Sequence, residues 1–294
     1  MSNVAVVLMA YGSPDRLEDV PAYYADIRGG RPIAPEHLDD LVARYRSLGI
    51  EDSNPLNEIT EATRAALEAE LGVPVFTGMR HWRPRIADAA ERALAAGATT
   101  VVGLVLAPHY SSLSIARYRE QLEAALADRA ELRFVERWGD EAAFVEFLAG
   151  RIGGTDVHVV FTAHSLPARI LEEGDPYKDQ LLESAALIAD RAAIREWSFA
   201  FQSESPTGEP WLGPDILEHL DALHAEGLDD VLLCPVGFVA DHLEIRWDLD
   251  TEAVDRAREL GMRLRRIEMP NADPVFVRVL AGLVRRAAAL PAPA

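Results

Sequence analysis

A chain of 294 residues has room for one large domain or two medium ones, and with 49% apolar residues it belongs among folded globular proteins. Its formal net charge of −19 argues against nucleic acid or an anionic membrane surface as a general partner. The single cysteine, Cys234, excludes an internal disulfide and an iron–sulfur cluster held by cysteines, and reads as a buried small hydrophobe at a strand end.

Val4–Ala10 (VAVVLMA) is a continuous apolar, β-rich run closed by Gly12 and Pro14, the pattern of a strand buried on both faces. No basic n-region precedes it, and no apolar run reaches the ~18–20 residues of a membrane span. Neither a signal peptide nor a membrane anchor is therefore expected, and the default compartment is cytoplasmic. Helical periodicity is clearest over 36–49 and, after the turn-like EDSNPL, over 59–71. Residues 73–79 read as strand, 84–97 as helix, and TTVVGLVLAPH as the next strand. Strands alternating with helices predict an α/β fold with a parallel sheet wrapped in helices.

The rhythm restarts near Thr155, after a helix carrying Phe144 and Ile152. VAVVLMAYGSP (4–14) aligns without gaps on VHVVFTAHSLP (157–167), with Tyr11 falling on His164. A weaker echo pairs LVLAPH (104–109) with LLCPV (232–236). The expectation is two similar Rossmann-like domains: 1–140 with a C-terminal segment, 272–294, packed on it, and 141–271. Their strand C-termini would surround one cleft, with Tyr11 facing His164 across it. Asp273-Pro274 opens the last helix.

The stretch 231–256 begins as a short apolar run turned by Pro235 and Gly237, then reads as a helix. Asp241, Glu244, Asp248, Glu252 and Asp255 follow at steps of three, four, four and three, which puts five carboxylates on one helical stripe. Like charges at those spacings repel. A solvated acidic face and a row of hard oxygen ligands for a cation both fit the pattern. Leu243, Ile245, Trp247, Leu249, Ala253 and Val254 cover most of the remaining circumference.

The sequence lacks G-x-G-x-x-G after its first strand, and also the P-loop, G-x-S-x-G and H-E-x-x-H motifs, which weakens the corresponding readings. His164 is either a structural hydrogen-bonding group or a general base facing the cleft. Arg28, Arg31, Arg80 and His81 lie beside glycines, either as solvated cations or as a set that binds carboxylates of an organic ligand. Trp82, Trp211 and Phe238 are core aromatics or walls for a flat apolar ligand. His109 and His242 are read as structural.

MAYGSP, IRGGRP, GMRHW, LAPHYS, AHSLP, WLGPD, PVGFVADHLE and EMPN, in this order, resemble the ferrochelatases over nearly the whole chain. That resemblance implies a chelatase-like fold of two Rossmann-like domains without a dinucleotide, and insertion of ferrous iron into a porphyrin. It implies His164 and Glu244 as catalytic and metal-contacting residues, with Asp248 and Glu252 conducting or storing metal. Tyr11 resembles the tyrosine of the Gram-positive and actinobacterial branch, which uses coproporphyrin III and whose tyrosine can ligate the product iron. The substrate-binding positions it implies are Tyr11, Arg28, Arg31, Ser53, Arg80, His81 and Tyr110. SNPL stands where relatives carry G-S-P-L, and Arg80-His81 replaces an R-Y or K-H pair. The short, charged segment 15–47 replaces the hydrophobic lip of mitochondrial-type enzymes, so a soluble enzyme is expected. Coproporphyrin III and Fe²⁺ are then the partners, with no permanently bound cofactor and a monomeric chain that touches neighbouring haem-pathway enzymes transiently. Protoporphyrin IX as substrate, a sirohydrochlorin cobaltochelatase, and a haem carrier without insertion chemistry are the alternatives.

Overall fold

The computed structural model describes residues 3–31, 33–50, 54–205 and 207–291. Ser53 lies outside the described residues. The first half runs β1 (Val4–Ala10), α1 (Val20–Ile27), α2 (Pro35–Ser47), α3 (Pro55–Leu71), β2 (Val75–Met79), α4 (Ile86–Ala95), β3 (Thr100–Val105), α5 (Ile115–Leu126) and β4 (Glu131–Val135). After α6 (Ala142–Ile152) the second half follows with β5 (His158–His164), α7 (Tyr177–Arg191), β6 (Trp197–Gln202), α8 (Ile216–Ala225) and β7 (Asp230–Cys234). A π-helix (Ile245–Ala253) leads directly into α9 (Val254–Leu260), then β8 (Arg263–Arg266) and α10 (Pro274–Ala288).

The strands form two four-stranded parallel sheets, ordered β2-β1-β3-β4 and β6-β5-β7-β8. The two orders are the same pattern, with β1 and β5 in equivalent places and β3 and β7 likewise. These are the pairs that the internal sequence match selects. A central strand covered on both faces must be apolar at every position. β1 meets this by sending Val4, Val6 and Leu8 into one core and Ala5, Val7 and Met9 into the other. Full burial of each such side chain contributes roughly 1.5–3 kcal/mol.

The core that holds Val4, Val6 and Leu8 also holds Phe144, Phe161 and Phe276, so apolar packing is continuous between the two sheets. Helix α10 lies against α3, α6, β3 and β4, which carries the chain's end back to the first half. Polar contacts reinforce the seam beside the cleft. Asp175 Oδ2 accepts from Ser111 Oγ, Ser112 N and Ser112 Oγ at 3.0, 2.7 and 2.7 Å. Gln180 Oε1 accepts from Tyr110 N at 2.9 Å, and buried His109 meets Ser184 Oγ at 2.8 Å.

α3 starts earlier than its periodicity predicts. Pro55 occupies its first turn, where a missing N–H costs nothing, and the Asn54 side chain accepts from Leu56 N at 3.1 Å. Part of the expected turn is thus the helix's own cap.

Candidate active site

β5 carries His164 at its C-terminal end. The last β5–β7 pair is Phe161 with Cys234, whereas β5–β6 pairing continues to His164 with Gln202, so residues 162–164 project beyond β7. The chain leaving β7 crosses this projection closely. A Cβ on Gly237 would lie 2.6 Å from Ala163 Cβ, which only glycine avoids. That close passage brings Glu244 beside His164, with Glu244 Oε1 3.6 Å from His164 Nε2.

Both residues stand on the second sheet's edge of the cleft. Glu244 reaches His164 from the adjacent strand's loop, so the imidazole and the carboxylate belong to the same half. The reason is topological: β5 and β7 are hydrogen-bonded neighbours, so their C-terminal loops share one rim.

His164 Nδ1 donates to Ser165 O, and Tyr177 Oη donates to His164 O at 3.0 Å. With a carbonyl at one ring nitrogen and a carboxylate 3.6 Å from the other, the surroundings favour the imidazolium. Burial works against that charge, but Glu244 outweighs it and lifts the pKa to about 9. Burial also pushes Glu244 upward, yet the neighbouring His164 charge and its hydrogen bond, with His242 adding, hold its carboxyl well below the usual range. The side chains remain 31% and 36% exposed, open to the cleft.

His242 completes the arrangement. Its Nδ1 donates to Ala240 O at 2.9 Å and its Nε2 faces Glu244 Oε2 at 3.3 Å. The Phe238 ring lies 4.8 Å from His242 and 6.5 Å from His164, placing an apolar surface between the imidazoles. Its contact with Glu244 departs from the purely structural place expected of His242. The available signal was the H-x-E spacing around apolar Leu243, which turns both polar side chains toward one place.

Beyond Glu244 the backbone is a π-helix, with i→i−5 bonds and a turn wider than the α-helix's 3.6 residues. Thr251 Oγ1 supports it by donating to Arg246 O at 2.9 Å. Ile245, Leu249 and Ala253 pack into the core of the second sheet, and each follows one member of the acidic row Glu244, Asp248 and Glu252. Steps of four drift by about 40° each on an ordinary α-helix. The wider π turn counters that forward drift. Ser203 Oγ donates to Asp248 Oδ2, and burial, with the Glu244 charge adding, still lifts Asp248 to about 6. Glu252 Oε1 accepts from Trp247 Nε1 at 2.8 Å.

Asp241 is not on this stripe. It precedes the helix and accepts from Asn271 Nδ2 at 2.8 Å and from Arg266 at 3.1 Å, while Arg266 also grips Asp250 at 2.8 Å. Asp255 pairs with Arg258 on α9, at the surface. Among the described residues, no group of three His, Cys, Asp or Glu side chains forms a closed metal site. Glu244, Asp248 and Glu252 form an open succession.

From the first half, Tyr11 follows β1 and is 40% exposed. Desolvation of the phenol end of this otherwise exposed side chain, and then the Glu244 charge, raise its pKa. Gly12, at φ +88°, makes the turn; a Cβ there would stand 2.8 Å from Trp82 Cβ. His81 packs its ring 4.6 Å from Tyr11, and its Nδ1 meets Asp26 Oδ2 at 2.9 Å. Arg85 also holds Asp26, at 2.7 Å. His81 therefore braces Tyr11. Arg80 donates to Leu113 O at 3.1 Å and lies over Tyr118. Arg28 caps the end of α1, and its carbonyl accepts from Arg31 Nε at 2.9 Å. Tyr110 sits on the seam through its backbone bond to Gln180.

A base, a carboxylate and an open acidic row at the C-terminal ends of parallel strands suit removal of protons coupled to movement of a cation. A family model described as Ferrochelatase matches residues 3–288. The chain belongs to the ferrochelatase family. A ferrochelatase of Herpetosiphon aurantiacus is 42% identical over 96% of this chain and 98% of its own. A coproporphyrin III ferrochelatase of Geobacillus thermodenitrificans is 38% identical over 96% of this chain and 95% of its own. Among solved structures, SirB from Bacillus subtilis with Fe³⁺ covers 98% of this chain and 96% of its own at a TM-score of 0.65. At 14% identity that likeness speaks for the fold alone. As a ferrochelatase the chain is a lyase of haem biosynthesis that acts on a porphyrin and iron. No described helix is long and apolar enough to cross a membrane.

Proposed function

We propose that this ferrochelatase inserts Fe²⁺ into coproporphyrin III, with His164 as proton acceptor and Glu244 as its partner. The observation that carries the reading is the His164–Glu244 pair, 3.6 Å apart, standing at the inner end of the acidic row. The relative at 38% identity that is named for coproporphyrin III, together with Tyr11 at the C-terminal end of β1, supports this substrate over protoporphyrin IX. Coproporphyrin carries propionates where protoporphyrin carries vinyl groups, so cationic donors at the rim favour it. Arg28, Arg31 and Arg80 are the residues assigned to them.

A planar free-base porphyrin presents N–H groups where the metal must go. Binding between the halves favours a distorted macrocycle whose pyrrole nitrogens are accessible. Fe²⁺ exchanges waters for oxygens of Glu252 and Asp248 before reaching Glu244. Its arrival cancels the charge that keeps His164 protonated. The imidazolium then gives its proton to water in the open cleft and the neutral ring becomes a base. Both pyrrole protons leave as iron bonds to the nitrogens, taken one after the other by the His164 ring, which passes the first to cleft water before accepting the second, and the metallated core is electrically balanced. Tyr11 stands on the opposite face to receive the product iron.

Anaerobic initial rates with Fe²⁺ and each porphyrin test the substrate. Coproporphyrin III is expected to give a kcat/KM about tenfold or more above that of protoporphyrin IX. Equal or faster turnover of protoporphyrin IX would overturn the assignment.

A further inference from the structure

The outermost carboxylate of the acidic row is held by a residue that the other half of the molecule holds in turn. Trp247 donates its indole N–H to Glu252 Oε1 at 2.8 Å. The guanidinium of Arg44, on α2, lies over the Trp247 ring with 5.1 Å from its central carbon to the ring centroid. Arg44 is aimed by its own helix, since its Nε donates to Asp40 Oδ2 one turn earlier at 2.9 Å. A second contact joins the same elements. Leu243, just before the π-helix, packs with Val20, Tyr45 and Ile50 beneath α2. Tyr45 Oη is in turn 3.2 Å from Ser13 Oγ, which also accepts from Asn54 at 2.7 Å, so this patch is anchored to the loop after β1.

The chemistry of the contact matters. A carboxylate at the open end of a row has rotamer freedom that a hydrated cation must remove when it trades a water for an oxygen. An indole N–H fixes one oxygen and leaves the second for a cation. It is also neutral, so it orients Glu252 without cancelling its charge. Arg44 would cancel that charge if it reached Glu252, but Asp40 and the face of Trp247 occupy it.

We propose that Trp247 is a positioning residue for metal capture: it presents Glu252 to the incoming cation, and Arg44 of α2 holds Trp247 in the orientation that does so. The inference rests on the acidic row being the metal's approach. Through it, the helix over one rim of the cleft and the entry point of the row act as one unit.

The test is metal-dependence of insertion by the full chain, with porphyrin saturating and Zn²⁺ or Fe²⁺ varied anaerobically. Trp247→Phe keeps a ring under Arg44 and removes only the N–H; the metal KM is expected to rise about fivefold, with kcat and the porphyrin KM within twofold. Arg44→Ala is expected to raise the metal KM about two- to threefold, and Arg44→Lys, which keeps a cation on the ring, to recover most of it. The double variant Arg44→Ala/Trp247→Phe should be no worse than Trp247→Phe alone, because both act through one contact. An unchanged metal KM in Trp247→Phe, or effects that multiply in the double variant, overturns the proposal. Should Trp247→Phe fail to fold, an unchanged metal KM in Arg44→Ala overturns it equally. Glu252→Gln separates the two layers: if it leaves the metal KM unchanged, the row is not the approach and the proposal falls with it. If Glu252→Gln raises the metal KM while Trp247→Phe does not, the positioning role alone falls.

Discussion

His242 holds one oxygen of Glu244 while His164 faces the other, at 3.3 Å to Oε2 and 3.6 Å to Oε1. Each imidazole has its Nδ1 committed to a backbone carbonyl, so each presents Nε2 in a fixed direction. The two imidazoles restrict the orientation of the carboxylate between them.

His242→Ala should therefore impair chemistry more than substrate binding. Losing one hydrogen bond to a charged group costs about 1.5–3 kcal/mol, or roughly a 10- to 100-fold fall in kcat if the cost falls on the reacting geometry. Steady-state kinetics with metal and porphyrin each varied would show it; a variant that raises the metal KM at unchanged kcat would assign His242 to metal binding instead.

The pH behaviour of the pair follows from its two shifts. His164 is raised above its ordinary 6.5 to about 9, so its stabilisation is complete below pH 6.5 and lost as pH climbs through about 9. Glu244 is depressed, so its share is complete above its ordinary 4.5 and lost only as pH falls through the lowered value. Glu244→Gln removes the main cause of the His164 shift, and NMR titration should find the His164 midpoint well below 9. A midpoint that stays near 9 in this variant would show that another group sets it.

Gly237→Ala would place a methyl group 2.6 Å from Ala163 Cβ, directly before His164. Overpacking of this kind costs about 1–3 kcal/mol. Urea unfolding should show that loss, and kcat should fall with it because the crossing that seats Glu244 beside His164 must shift.

Asp175 joins the halves through Ser111 and Ser112 and caps the start of α7 by accepting from Tyr177 N at 3.0 Å. Asp175→Ala leaves those donors without their acceptor at a cost of about 2 kcal/mol or more. Thermal unfolding should report a lower midpoint, and porphyrin affinity should weaken as the cleft loses its fixed width. An unaltered midpoint would show that the seam is held by its apolar packing alone.

How much of this could be read from the residues depended on burial. β1 announces itself because a strand covered on both faces must be apolar throughout, β5 shows the same signal through Val159, Val160, Phe161 and Ala163, and their alignment identified matching places in two sheets. β4 and β8 were invisible to the same criterion. ELRFV and RLRR are edge strands, partly exposed, and their charges hide the strand signal. His164 and Glu244 were legible from AHSLP and PVGFVADHLE, but their placement on one rim needed the β5–β7 pairing. The steps of four from Glu244 to Glu252 read as an α-helical stripe, and the sequence does not distinguish that from the wider π turn that carries them. Asp241 joined that stripe only because the helix start was placed too early. Arg80 and His81 read as cations beside glycines, either solvated or set to bind carboxylates, and no spacing in the sequence shows that Arg80 also donates to Leu113 O or that His81 lies against Tyr11.

The most direct measurement is anaerobic insertion of Fe²⁺ into coproporphyrin III by the wild-type chain and by His164→Ala, followed by absorbance, with porphyrin affinity measured on both. The expected result is insertion by the wild type, none above background by His164→Ala, and porphyrin binding by the variant within about tenfold. Normal turnover by His164→Ala would contradict the assignment of the proton acceptor and, with it, the coupling of metal arrival to proton removal.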